Sequence, residues 1–345
     1  MMLNNSSHLC AEHSYFITDI LLWKVFSILL PVLGIPGNVL IIIIMLNRSN
    51  RKHPISLYFT AIAMFEIIYL IGLLWDWLDV MSIVADPRKT LNCAGFYMLV
   101  IGTAMISAIL LANVSIDRVI MILLPFKTNA WITHRKVTLT IVITGLSIFC
   151  LMIHYRFSLC YHFGSSVLYG QACIICPNAR IWFEHVWPIL YLTLFRVLPA
   201  LIVIICAVII LVNRCSLSKI TRTTVTNKTK VRLDHRRQFV RMQTLSIVLV
   251  LFSLYFTLSI MPNTIMQFFN KNFRYETDCF KLGQWKLLNT LFIMFESTSY
   301  TNKFYIKLIV SKQFRNDIKR LITIPVHQTN ILEKKMHRYQ KPIAK

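Results

Sequence analysis

Residues 93–119 read CAGFYMLVIGTAMISAILLANVSIDRV. No charged side chain occurs between Cys93 and Asp117. The separation of 25 residues between Cys93 and Arg118 makes a helix about 37 Å long at about 1.5 Å per residue. The hydrocarbon core of a bilayer is about 30 Å thick. The stretch therefore crosses it, with the cysteine in one interface and the Asp117-Arg118 pair in the other.

Runs of the same kind recur along the chain. Six apolar segments, about 22–46, 55–78, 94–124, 137–159, 187–212 and 242–269, reach the roughly 20 residues that a helical span needs. A seventh, about 285–310, carries Asn289, Glu296, Thr298, Ser299, Asn302, Lys303 and Lys307. Polar residues within a span face the bundle interior, so this helix is expected to line a functional seam. The expected fold is an all-α membrane protein: a seven-transmembrane helix bundle with a short amphipathic eighth helix. Residues 1–21 form the outer N-terminus, 22–312 the bundle, and 313–345 the amphipathic helix and inner tail.

Composition agrees. The 345 residues are 56% hydrophobic and 15% charged, with a mean hydropathy of +0.60; soluble domains run nearer 25% charged. The net charge of +23 does not imply nucleic acid as a partner, because it is segregated into flanks of apolar runs. Met1 to Thr18 lacks the basic and apolar regions of a cleavable signal, and 21–46 is too long for one. An enzyme is not expected: neither a Ser-His-Asp set, nor a His-x-x-x-His pair, nor a phosphate loop occurs.

Lys and Arg set the orientation. Residues 1–23 contain neither, whereas nine lie between Asn213 and Arg241 against one acid, Asp234. The N-terminus is therefore expected outside and the tail inside, which requires seven crossings. Sequons at Asn4 and Asn5 lie in the outer segment, where glycosylation is possible chemistry.

The Cys93…Asp117-Arg118-Val119 spacing resembles the third helix of the rhodopsin-like G-protein-coupled receptors. Gly37-Asn38 resembles that family's first-helix motif. Pro199 resembles its fifth-helix kink, Phe256 and Pro262 its sixth helix, and Phe314-Arg315-Asn316 the start of its eighth. Phe314, Ile318 and Leu321 are spaced to lie on the inner leaflet. The resemblance covers about 22–322. It implies an activation core of Asn38, Glu66, Pro199, Phe256, Pro262, Asn302 and Tyr305, and G-protein coupling through Asp117, Arg118 and Val119. Departures are plain: Glu66 replaces Asp, Val119 replaces Tyr, Ile260 replaces the sixth-helix Trp, and the seventh-helix motif is reduced to Asn302-Lys303-Phe304-Tyr305 in an uncertain register.

The resemblance also implies a disulfide from Cys93 to Cys173 or Cys176, with Cys10 and Cys279 a second candidate pair. Sequence leaves the connectivity open. Cys150, Cys206 and Cys215 read as structural thiols.

Buried charges need a reason, since each costs roughly 2.5–3.5 kcal/mol on insertion scales. Glu66, Ser107, Thr298, Ser299 and Asn302 resemble the family's sodium site, and a carboxylate ringed by hydroxyls and an amide suits a hard cation. The preferred alternative is a protonated Glu66 hydrogen-bonded within the bundle. No other cofactor is expected. Asp76 and Glu296 are candidates for an acidic subsite that receives a cationic group such as a peptide Arg; the alternative is that they pair with Arg156 or Arg196, or with each other through a proton. Val100 stands where amine receptors hold an Asp, and Glu296 where opsins hold the retinal-binding Lys.

The function expected is that of a receptor in the plasma membrane, taking an extracellular ligand of peptide type and activating heterotrimeric G proteins. It resembles divergent invertebrate peptide receptors of the FMRFamide type, with short loops, a Phe-Arg-Asn eighth helix and no amine Asp. A chemosensory receptor of the same fold is the runner-up, and an ion-coupled transporter or channel the more distant alternative. The basic third inner loop and tail are expected to meet anionic lipid at about 1 kcal/mol per residue, and a G protein or arrestin.

Overall fold

Large apolar side chains cover the outside of this helical protein, and several charges lie within its otherwise apolar interior. The computed structural model describes residues 14–47, 50–124, 132–161, 173–223, 247–266 and 278–321. Helices dominate: α1 (Ser14–Leu46), α2 (Ile55–Val80), α3 (Asn92–Leu123), α4 (His134–Met152), α5 (Leu198–Thr223, entered through irregular turns from Trp182), α6 (Ile247–Met266) and α7 (Cys279–Thr301). After one turn at Asn302, α7 resumes as Lys303–Val310, and residues 312–321 form a final helix, α8. Among the described residues, six helices, α1 to α6, are long and apolar enough to cross a membrane.

Large apolar side chains face outward in helical register. Leu21, Val25 and Leu29 of α1, Leu139, Val142 and Leu146 of α4, and Leu254, Leu258 and Met261 of α6 are all exposed. In water so wide an apolar surface would aggregate; in lipid it is the solvated one. Within, Glu66, Arg118, Glu296, Lys303 and Lys307 are buried. An environment with no water at the surface produces this inversion.

α3 is central, packing against α2, α4 and α5. The α1–α2–α7 corner closes on small residues. A Cβ added to Gly34 would come within 2.6 Å of a Leu70 methyl and 2.8 Å of the Thr301 hydroxyl. One added to Gly37 would meet the Phe304 Cβ at 3.0 Å. Small residues let backbones approach where apolar association gains nothing. Asn38 then ties α1 to α7, donating from Nδ2 to the Tyr300 carbonyl at 3.0 Å.

Before α5 the backbone is irregular, with π-helical turns at Trp182–Val186 and Leu192–Val197. The second lies just before Pro199. Pro199 has no N–H for the carbonyl four residues back, that of Phe195, and its ring crowds that carbonyl. A widened turn accommodates both, and it carries Arg196. The N-termini of α4 and α7 are capped by Thr133 and Asp278, whose side chains accept from Lys136 N and Phe280 N.

Two short strands, β1 (Leu159–Tyr161) and β2 (Cys173–Ile175), pair antiparallel with Cys160 opposite Ile174. The apolar face of α8 packs in part against the end of α7 and α1. Phe314 is buried, its ring 5.7 Å from that of Phe304, and Ile318 and Leu321 join the same cluster with Ile41 and Ile44.

Candidate functional site

Four charged centres follow one another through the bundle. At the end of the bundle where α3 begins, Arg88, in the short helix before α3, pairs with Asp76. It also lies 3.2 Å from Asp86 and 3.7 Å from Asp79, and stacks over the Phe96 ring at 5.0 Å. Burial draws the guanidinium's pKa down, but Asp76 and the neighbouring acids outweigh it and raise it above the ordinary value. Asp76 is thereby satisfied within the chain. Neither Arg156 nor Arg196 is its partner; Arg88, which the sequence reading did not single out, is.

Deeper, Arg196 of the widened turn pairs with Glu296 of α7. Arg196 Nε donates to the Tyr191 hydroxyl at 2.8 Å. Glu296 accepts from Asn263 Nδ2 at 2.5 Å and from the Tyr300 hydroxyl at 3.3 Å. Tyr69 and Ser297 exchange a further hydrogen bond at 2.8 Å beside it. A small cavity abuts this network, lined by Ala104, Ala108, Tyr191, Phe195, Arg196 and Tyr300 among others. Arg196 contributes to its wall and Glu296 does not. Asp76 and Glu296 thus sit in separate networks, each engaged by an arginine, rather than together as an open acidic subsite. Val100 packs over Gly72 of α2 as part of an apolar cluster.

In the inner half Glu66 of α2 is fully buried and pairs with Lys303. Ser107 of α3 donates to Glu66 Oε1 at 2.8 Å, and Lys303 Nζ lies 3.5 Å from the Ser107 hydroxyl. Of Ser107, Ser299 and Asn302, Ser107 is the one that hydrogen-bonds Glu66. Asn302 instead donates to Tyr255 of α6 at 2.8 Å, and the Tyr255 hydroxyl lies 2.5 Å from that of Thr298. Ser299 Oγ is buried without a partner. Tyr305 turns away from the bundle axis and donates to the Leu33 carbonyl of α1 at 3.2 Å. The expected register of the seventh-helix motif is corrected accordingly: Lys303 rather than Asn302 reaches Glu66, and Lys307 is buried whereas Tyr305 points to α1. Asn302 and Lys303 are one residue apart, and one residue rotates a helical side chain by about 100°, which suffices to exchange these two at Glu66.

Lys307 is 3% exposed, its Nζ 3.6 Å from the Phe59 ring centroid and 5.7 Å from that of Phe252. A spacing signal was present. Glu296, Tyr300, Lys303 and Lys307 recur at three and four residues, which puts them on one helical face.

Near the C-terminal end of α3, Arg118 is 5% exposed and its Nε has no hydrogen-bond partner. Asp117 is half-buried and faces Tyr58 of α2. Val119 packs with Ala207, Ile210 and Val250 of α5 and α6. Phe256 is buried at the centre of the main cluster, Pro199 is buried and Pro262 half-buried.

Cys93 is bonded to Cys173, and Cys160 to Cys176. The second bridge was not anticipated. Cys279 is disulfide-bonded; Cys10, its candidate partner, lies outside the described residues, as do Asn4, Asn5, residues 224–246 and the tail from 322.

A helical membrane protein with polar networks stacked along its axis is the class that these features define. The description "7 transmembrane receptor (rhodopsin family)" matches residues 37–305, and the chain belongs to that family. No curated protein matches it.

Proposed function

We propose that the protein is a plasma-membrane receptor that binds an extracellular peptide and activates heterotrimeric G proteins. In this reading α7 is the seventh span, the N-terminus is outside, and Arg118 faces the cytosol. Arg118 carries the proposal. A buried guanidinium with an unused donor suits the end of a helix, whose last carbonyls lack partners and bear partial negative charge. The C-terminal helix of a G protein supplies such an end when the inner mouth of the bundle opens.

One feature supports a peptide. The β1–β2 hairpin is pinned to α3 through Cys93–Cys173, and a two-stranded hairpin offers main-chain edges to an extended chain.

Nucleotide exchange on a promiscuous G protein, measured while cells are challenged with a peptide library, tests this reading. A peptide that drives exchange in the wild type and fails in Arg118→Ala, at equal surface expression, is the expected result. Ligand uptake into vesicles without exchange would instead indicate a transporter.

A further inference from the structure

A sodium ion is what the family resemblance puts against Glu66, and the residues present do not fit one. Hard cations are coordinated by about six or more oxygens. Here Glu66 Oε1 is taken by Ser107 and by the ammonium of Lys303. Asn302 is committed to Tyr255. Glu66 Oε2 is buried without a partner, but charge balance argues against a second cation there. Lys303 already neutralises the carboxylate, and Lys307 lies within electrostatic range of both Glu66 and Lys303, with Arg118 beyond. In a low-dielectric interior an added positive ion would meet more repulsion than attraction.

We propose that Lys303 is a tethered cation that takes the place of the ion: its ammonium fills the seat between Glu66 and Ser107, and the receptor does not bind or respond to sodium. The lysine is covalently part of α7, so the tie joining α2, α3 and α7 does not depend on salt composition. This reading is independent of the ligand and of the cytoplasmic partner.

The test is the thermal unfolding midpoint of the purified full-length receptor, titrated with sodium chloride against N-methylglucamine chloride at constant ionic strength. The wild type is expected to show the same midpoint throughout. Lys303→Ala removes the ammonium and is expected to gain a saturable, sodium-dependent rise of a few degrees, lost again in Lys303→Ala/Glu66→Gln. A saturable rise in the wild type overturns the proposal on its own, whether or not any variant folds. Equal indifference to sodium in the wild type and Lys303→Ala also overturns it, because the lysine would not then be what excludes the ion. Should Lys303→Ala not fold, Lys303→Gln is read in the same way.

Discussion

Arg196 and Glu296 close an ion pair between the entry to α5 and α7, and both residues are buried. Removing one member of such a pair leaves the other charged and desolvated, at a cost of about 3–5 kcal/mol, whereas replacing both by apolar groups is often neutral. Glu296→Leu and Arg196→Met are each expected to lower the unfolding midpoint sharply, and Arg196→Met/Glu296→Leu to lose far less than their sum. A double-mutant cycle in purified receptor measures this; strict additivity would show that the pair is not coupled.

Lys307 presents the opposite case. Its ammonium is buried with no hydrogen-bond partner and is supported by the Phe59 ring. A desolvated cation–π contact is worth about 2 kcal/mol, while an uncompensated buried ion costs several. Desolvation wins. Lys307→Met, close in volume, is expected to raise the unfolding midpoint, and a marked fall would mean that the ring contact outweighs the burial.

Gly34 sits where α1 touches both α2 and α7. The added Cβ would lie 3.3 Å from the Thr301 Cα, a backbone atom that cannot rotate aside. Gly34→Val is expected to destabilise the receptor by about 1–3 kcal/mol or more through overpacking. Reduced surface expression and a lower midpoint would register it. Gly145 faces open space, so Gly145→Ala serves as the neutral control.

Pairing of the outer cysteines can be read chemically. Cys160→Ser should free the thiol of Cys176, and Cys93→Ser that of Cys173. Maleimide labelling followed by peptide mapping distinguishes them. Labelling of Cys173 in Cys160→Ser would assign the bridges the other way.

Much of this architecture was legible because lipid imposes a strong pattern on sequence. The runs that became α1 to α6 declare themselves by length and apolarity, and Cys93 and Arg118 mark the two ends of α3 by their separation alone. The seventh helix was harder for the same reason that it matters: its polar face lowers its hydropathy. Partners within the bundle were hardest. Arg88 lies in a short loop helix whose position over Asp76 follows from tertiary packing. The exchange of Asn302 for Lys303 at Glu66 depends on about 100° of helix rotation, which no single motif fixes when its proline is absent. The apolar face of α8 was legible, but whether lipid or Phe304 would cover it was not, because both are equally apolar.

The account rests on α7 crossing the bilayer so that Arg118 and the tail share the cytosolic side. Epitope tags fused before Met1 and after Lys345, stained on intact and on permeabilised cells, measure this directly. Staining of the N-terminal tag on intact cells, with the C-terminal tag visible only after permeabilisation, is the result expected. A C-terminal tag stained on intact cells would contradict the topology.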